Sequence, residues 1–566
     1  MDDMYNCYAL TEAPLGALLQ GFLGNLFLAY SFYPLQGPAT ETTRSLIPPR
    51  QPGPDFNEER WRSAIRTCDF GHAHYSSRQR FNVNYGSIRD EDKMRSRNLM
   101  WFALVSFTVA ITAPILAQQH GVEAKKGRLQ TYTGEFRDHA TYLIEVPTNW
   151  NGTLFLYSHG YVFPGDPNPA TDTGDILVRS YLLSRHYALG GSSYASAGWA
   201  VQNALRDQIT VLNTFDRLVS HPIRTIAWGH SMGGLITAGL VQNYPTRFSG
   251  AVSLCGVLAG SVGVWNQWLD SAFAFNTLLA SGQLQVVNIT DQNANIVNAE
   301  TLLNNAQATP EGRARIALVA ALVDSPGWIE PLLPQPDPTD YATLEANQQV
   351  SLGGFDFFLS FYLRSELEKR AGGNPSWNTG VDYEKQLKLS VGYAEVRALY
   401  QQAGLSLNAD LEALNEAPRI AADSTAVIYL SQNIVFDGKI RVPILTVHGD
   451  GDDVANVQNE RAYVDVVRKA HNSSFLREAV VHRAAHCFFT SAETIAALQT
   501  LIRRLDTGTW NGTDANGLNE TAAALPKEYD VLFGPGSEMV RPAFLDYESA
   551  PFLRPFDALD QSVGSH

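Results

Sequence analysis

Apolar and polar positions change rhythm along this chain, and from about residue 128 the changes follow a regular order. Alternation over 128–146 predicts strands, the last of them ending at Pro147. Residues 153–157 form a short unbroken apolar run that stops at Ser158-His159-Gly160, the pattern of a parallel strand buried on both faces. Residues 187–194 read as another strand and 201–218 have helical spacing. Strand-like 225–228 leads into helix-like 235–244, and 251–254 follows as a further strand. Strand character then vanishes until 444–447 and returns at 475–481, ahead of a helical stretch over 492–505. Strands alternating with helices predict an α/β fold, a mostly parallel sheet flanked by helices with right-handed crossovers.

The interval 256–441 is too long to be a loop between two strands. It carries helical stretches at 301–305, 313–322, 355–370 and 393–402, and breaks such as Pro331-Leu332-Leu333-Pro334. A helical cap inserted over the C-terminal ends of the strands is expected, because ligands bind there in open α/β sheets. The core is then divided into 118–255 and 442–506. Residues 507–566 form a tail whose aromatic end, 544–556, is expected to pack back on the core.

Upstream, Lys93, Arg95 and Arg97 precede the uncharged, largely apolar stretch 98–117. A basic region, an apolar run and a small residue at the exit describe a secretory signal peptide. Its position implies a translation start at Met94 or Met100, with residues 1–93 an artefact of the gene start. A signal anchor spanning a bilayer through 99–117 is the alternative, since the stretch approaches the ~20 residues such a helix needs. Sequons at Asn151, Asn288, Asn472, Asn511 and Asn519 all follow this segment and suit a secreted glycoprotein.

The 566 residues carry a formal net charge of −15, which argues against nucleic acid or an anionic membrane surface as partner. Four cysteines, Cys7, Cys68, Cys255 and Cys487, are too few for a disulfide scaffold and lack metal-ligand spacing. There is no H-E-x-x-H, no C-x-x-C and no glycine-rich phosphate loop, so neither a metal nor another cofactor is expected.

The chemistry concentrates in three loops. Gly229-His230-Ser231-Met232-Gly233 reads G-x-S-x-G between a strand and a helix, where glycines let a sharp turn lift the serine hydroxyl clear. Serine needs a histidine base, and that base needs a carboxylate to fix its tautomer. After strand 444–447 come His448, Gly449, Asp450, Asp452 and Asp453; after 475–481 come His482, His486 and Cys487.

Together these segments resemble the α/β-hydrolase superfamily over about 127–505. His159-Gly160-Tyr161 is similar to its oxyanion loop and Gly229–Gly233 to its nucleophile elbow. Residues 443–454 are similar to its P-x-L-x-x-H-G-x-x-D acid loop, and His486 with Cys487-Phe488-Phe489-Thr490 to its terminal histidine loop. The resemblance implies Ser231 as nucleophile, Asp452 as acid and His486 as base, with the main-chain N–H groups of Tyr161 and Met232 as the oxyanion hole. Asp450 and Asp453 flank the chosen acid, and His159 is expected to shape its loop rather than move protons. Secreted tannases and feruloyl esterases also place a cysteine after the catalytic histidine. Its partner there precedes the nucleophile, where this chain has His230. A Cys255–Cys487 bridge or two buried thiols remain the options here.

The implied activity is hydrolysis of a small-molecule carboxylic ester through an acyl-enzyme. A proline-iminopeptidase-like peptidase is the alternative, and would need acidic cap residues such as Asp324, Glu330, Asp337 or Asp340 to hold an amine. A lactonase, an acyltransferase or a catalytically dead binding module completes the set.

Overall fold

The computed structural model describes residues 129–532 and 538–556. The expected signal segment and everything before it lie outside the described residues. Eight strands form the sheet's body: β1 (Gln130–Glu135), β2 (Thr141–Val146), β3 (Thr153–Ser158), β4 (Ala188–Ser192), β5 (Arg224–His230), β6 (Gly250–Leu254), β7 (Ile444–Gly451) and β8 (Leu476–Ala484). Their order is β1-β2-β4-β3-β5-β6-β7-β8, with the two-residue strand Phe544–Leu545 on the far edge. From β4 to β8 every neighbouring pair is parallel, while β1, β2 and the edge strand are antiparallel. The fold is that of an α/β hydrolase.

Side chains alternate across β3. Leu154 and Leu156 join one core with helices Val201–Leu218 and Met232–Asn243. Phe155 and Tyr157 join the opposite core with Ile176–Ser184 and Ser491–Thr507. Both faces are therefore covered, which is why these strands are apolar throughout.

Residues 260–432 are helical and carry a hydrophobic core of their own, in which Phe275, Leu318, Phe357, Phe361 and Tyr400 are buried. Local caps set these helices. Thr309 accepts from Gly312 N ahead of Pro310, and Asp382 accepts from Lys385 N. Gly372 and Gly404 end theirs in the left-handed conformation. The sequence-predicted stretches at 301–305, 355–370 and 393–402 fall within helical segments, and 313–322 runs one residue past the helix Pro310–Ala321. The first belongs to Gln292–Gln307, and part of 355–370 is π-helical. Gly260–Leu278 is a helix that hydrophobic patterning does not reveal, because it is buried around its whole circumference as far as Phe275.

The tail contains a helix, Ala515–Ala523, begun by Asp514, and reaches both parts of the molecule. Phe544 pairs with Val481 of β8. Further on, Phe552 and Leu553 are buried and Arg554 bonds both oxygens of Asp270 on helix Gly260–Leu278 at 2.6 Å.

Candidate active site

Ser231 sits between β5 and Met232–Asn243 with φ 59° and ψ −125°, a conformation that costs a non-glycine residue about 1–3 kcal/mol. The turn is held by Ser231 N donating to Leu254 O at 2.9 Å and Gly234 N to Ser231 O at 2.8 Å. A Cβ on either Gly229 or Gly233 would run into the carbonyl of Ser158 on β3, so both positions need glycine for close approach.

His486 Nε2 lies 2.8 Å from Ser231 Oγ, and its Nδ1 lies 2.8 and 2.9 Å from the two oxygens of Asp452. With the proton on Nδ1 facing the carboxylate, the Nε2 lone pair faces the serine hydroxyl. Asp452 is buried and also accepts from Val454 N at 3.0 Å and Ala455 N at 2.9 Å. Burial alone would raise its pKa. The neighbouring His486 and His448 win, and hold it below the usual carboxylate range.

The other nearby acids go elsewhere. Asp450 bonds His482 Nδ1 at 2.6 Å and Arg483 N at 2.9 Å, while Asp453 lines a small cavity with Gln267 and Asp356. Of the cap acids, Asp340 and Asp337 are exposed residues that order turns, through Thr343 and Thr339. Glu330 is half-buried, and Asp324 is buried on Ser390 and Val391.

The histidine loop is pinned from several sides. Ala485 N donates to Gly451 O, and Arg483 pairs with Glu493 at 2.6 Å. Thr490 closes a capping box with Glu493. Cys487 is joined to Cys255 by a disulfide, which ties the loop to the end of β6. Residue 230, where tannase-like enzymes carry the partner cysteine, is a half-buried histidine 3.3 Å from Tyr157 OH. Burial and then the nearby His486 push its pKa down to about 4, so His230 is neutral at pH 7. The group Cys255, His486 and Cys487 resembles a ligand set in position only. Its sulfurs are bonded to each other, and both His486 nitrogens already face Asp452 and Ser231.

Gly160 lies against Ser231: a Cβ there would be 3.4 Å from Ser231 Cβ and 3.9 Å from its Oγ. The segment leading to Tyr161 thus runs beside the serine, and Met232 opens the helix behind it, where free N–H groups gather. His159 stacks on Tyr194 at 3.9 Å and its Nδ1 meets Gly160 O at 2.8 Å, so it braces this loop. Burial lowers its pKa.

The sequence places His448 after strand 444–447 and gives it no role in the site. The structure buries it with Nδ1 3.0 Å from Glu460 and Nε2 2.5 Å from Ala455 O and 3.4 Å from Asp452. Burial disfavours its charge, but Asp452 and Glu460 outweigh burial and push its pKa up to about 10. Both ring nitrogens face acceptors, as an imidazolium requires. Glu460, on helix Gln458–Lys469, gives no sequence signal at that distance.

The sequon asparagines differ in setting. Asn151, Asn288 and Asn511 are exposed, whereas Asn472 and Asn519 are half-buried and donate to Gly438 O and Phe544 O, each at 2.8 Å.

Residues 210–327 match the family described as "Putative esterase". The o-phthalyl amidase of Xanthobacter agilis is 30% identical over 428 residues, covering 69% of this chain and 90% of that protein. Among solved structures, feruloyl esterase B from Aspergillus oryzae matches at 13% identity and a TM-score of 0.35, over 77% of this chain and 89% of that one. An esterase from the same organism matches at 13% and 0.37, over 75% and 89%. Likenesses of that degree say nothing about substrate.

Proposed function

The chain belongs to the α/β-hydrolase superfamily as an esterase-like hydrolase of carboxylic esters or amides, and on that premise we propose that it works through Ser231, His486 and Asp452. Ser231 Oγ attacks the substrate carbonyl while His486 Nε2 takes its proton. Asp452 stays ionised, orients the imidazole and balances the imidazolium that forms. The tetrahedral oxyanion is received by the N–H groups of Tyr161 and Met232, each worth about 2.7–4 kcal/mol of transition-state stabilisation. His486 then protonates the leaving alcohol or amine, and water releases the acyl group by the same steps in reverse.

The observation that carries this reading is the single line of contacts, Asp452 to His486 to Ser231, each at 2.8 Å. The test is turnover of p-nitrophenyl esters by Ser231→Ala and His486→Ala. Each should lose about 10⁴–10⁶-fold in kcat. Losses under tenfold would mean that another group does the chemistry.

Esters are the leading substrate class. Amides are the second reading, favoured by the likeness to an o-phthalyl amidase over most of that protein's length. Comparing kcat/KM on a phthalyl monoester and the matching monoamide separates them.

Export to an oxidising compartment is supported by the Cys255–Cys487 bridge together with the signal-like segment 94–117. N-terminal sequencing of the native protein is the check, and a first residue before Met94 contradicts the proposed start.

A further inference from the structure

We propose that the cleft between the cap and the acid loop is a binding site for a compact cation, held by the carboxyl groups of Asp356 and Asp453. One comes from the cap and the other from the loop that carries Asp452. Both are 4% exposed. They line one cavity with Gln267, Trp268, Ser325 and Asn456. The centre of a water-sized sphere can move through about 10 Å³ of it, room for one group of that size.

Two carboxyl groups face the same small space. Among the described residues, neither oxygen of Asp453 nor Oδ2 of Asp356 has a hydrogen-bond partner. Gln267 Nε2 and Asn456 Nδ2 each turn one N–H to Val323 O at 2.8 Å rather than to these carboxyls. Buried carboxyls without partners are costly, and Asp453 adjoins a third, Asp452, which is already matched by His486 and His448. A cation in the cavity would relieve both groups at once. A pair of carboxyl groups suits a hard metal ion or an ammonium rather than a thiophilic metal. Asp356 also sits in a π-helical turn, Leu352–Asp356, a form found often at functional sites.

The same chemistry has two sources, a free metal ion or the ammonium head of a substrate, and two measurements on the full chain distinguish them. After chelator treatment, the melting temperature is recorded with CaCl2, MgCl2 or NaCl at millimolar concentration. A rise of about 2–4 °C in the wild type that disappears in Asp356→Asn and Asp453→Asn identifies a metal site. Separately, kcat/KM is compared for alanine methyl ester and its N-acetyl counterpart. A preference of about tenfold or more for the free amine, lost in either variant, identifies a substrate subsite. The second arm rests on the hydrolase reading. Wild-type turnover of p-nitrophenyl acetate keeps its failure separate from a failure of that reading. If no salt shifts the melting temperature and the amine confers no preference, the inference is overturned. A variant that melts higher than the wild type in that case would mark the pair as sharing a proton.

Discussion

His448 Nε2 lies 3.4 Å from Asp452, behind the carboxylate that faces His486. The candidate acid is therefore flanked by two imidazoles, and the rear one is anchored by Glu460 and the carbonyl of Ala455. A charged His448 offsets two buried carboxylates. Replacing it by Ala should destabilise the protein by about 3–5 kcal/mol, because both carboxylates lose their cation.

The same residue sets a pH dependence. Its folded pKa, about 10, is above the ordinary histidine value near 6.5. Its stabilisation is thus complete below about 6.5 and is lost as pH rises through about 10. Melting temperature should fall across that window in the wild type, and this component should vanish in His448→Gln. Identical profiles for both proteins would show that His448 is neutral when folded.

The bridge between Cys255 and Cys487 closes a loop of 232 residues and holds the residue next to His486. Cys255→Ser with Cys487→Ser should cost about 2–4 kcal/mol in urea unfolding. It should also lower kcat more than it raises KM, since the histidine loop loses its tether to β6. Unchanged kcat would confine the bridge to stability.

Gly233→Ala tests the elbow. The added methyl meets the backbone carbonyls of Ser158 and His159, neither of which is free to move within the sheet and its adjoining loop. Strain of about 1–3 kcal/mol is expected, with loss of most activity as Ser231 is displaced. Circular dichroism distinguishes a displaced serine in a folded protein from failure to fold.

Arg554 joins the end of the described tail to Asp270, a fully buried residue on helix Gly260–Leu278 also bonded by Tyr383 and Gln386. Arg554→Ala removes the cation and leaves the carboxylate with neutral donors only. A loss of about 3–5 kcal/mol is expected in denaturant titration. Truncation before residue 544 should do more, because it also removes the edge strand from β8.

What could be read from the sequence follows from periodicity and local chemistry. Residues 201–218 have one apolar face and one polar face, and the helix Val201–Leu218 has those same limits. The G-x-S-x-G turn was legible because steric crowding dictates its glycines. Gly260–Leu278 was not, since a helix buried on all sides has no polar face to mark it. Nor was the pairing of His448 with Glu460, which depends on how helix Gln458–Lys469 lies against β7. Whether Cys255 and Cys487 meet depends on strand order, and composition is silent on that.

The most direct test of the central claim is the site of covalent capture by a fluorophosphonate. Peptide mapping of the labelled native protein should place one phosphonyl adduct on Ser231, and labelling should be nearly abolished in His486→Ala and slowed in Asp452→Asn. An adduct on a different residue, or equal labelling rates in wild type and His486→Ala, would contradict it.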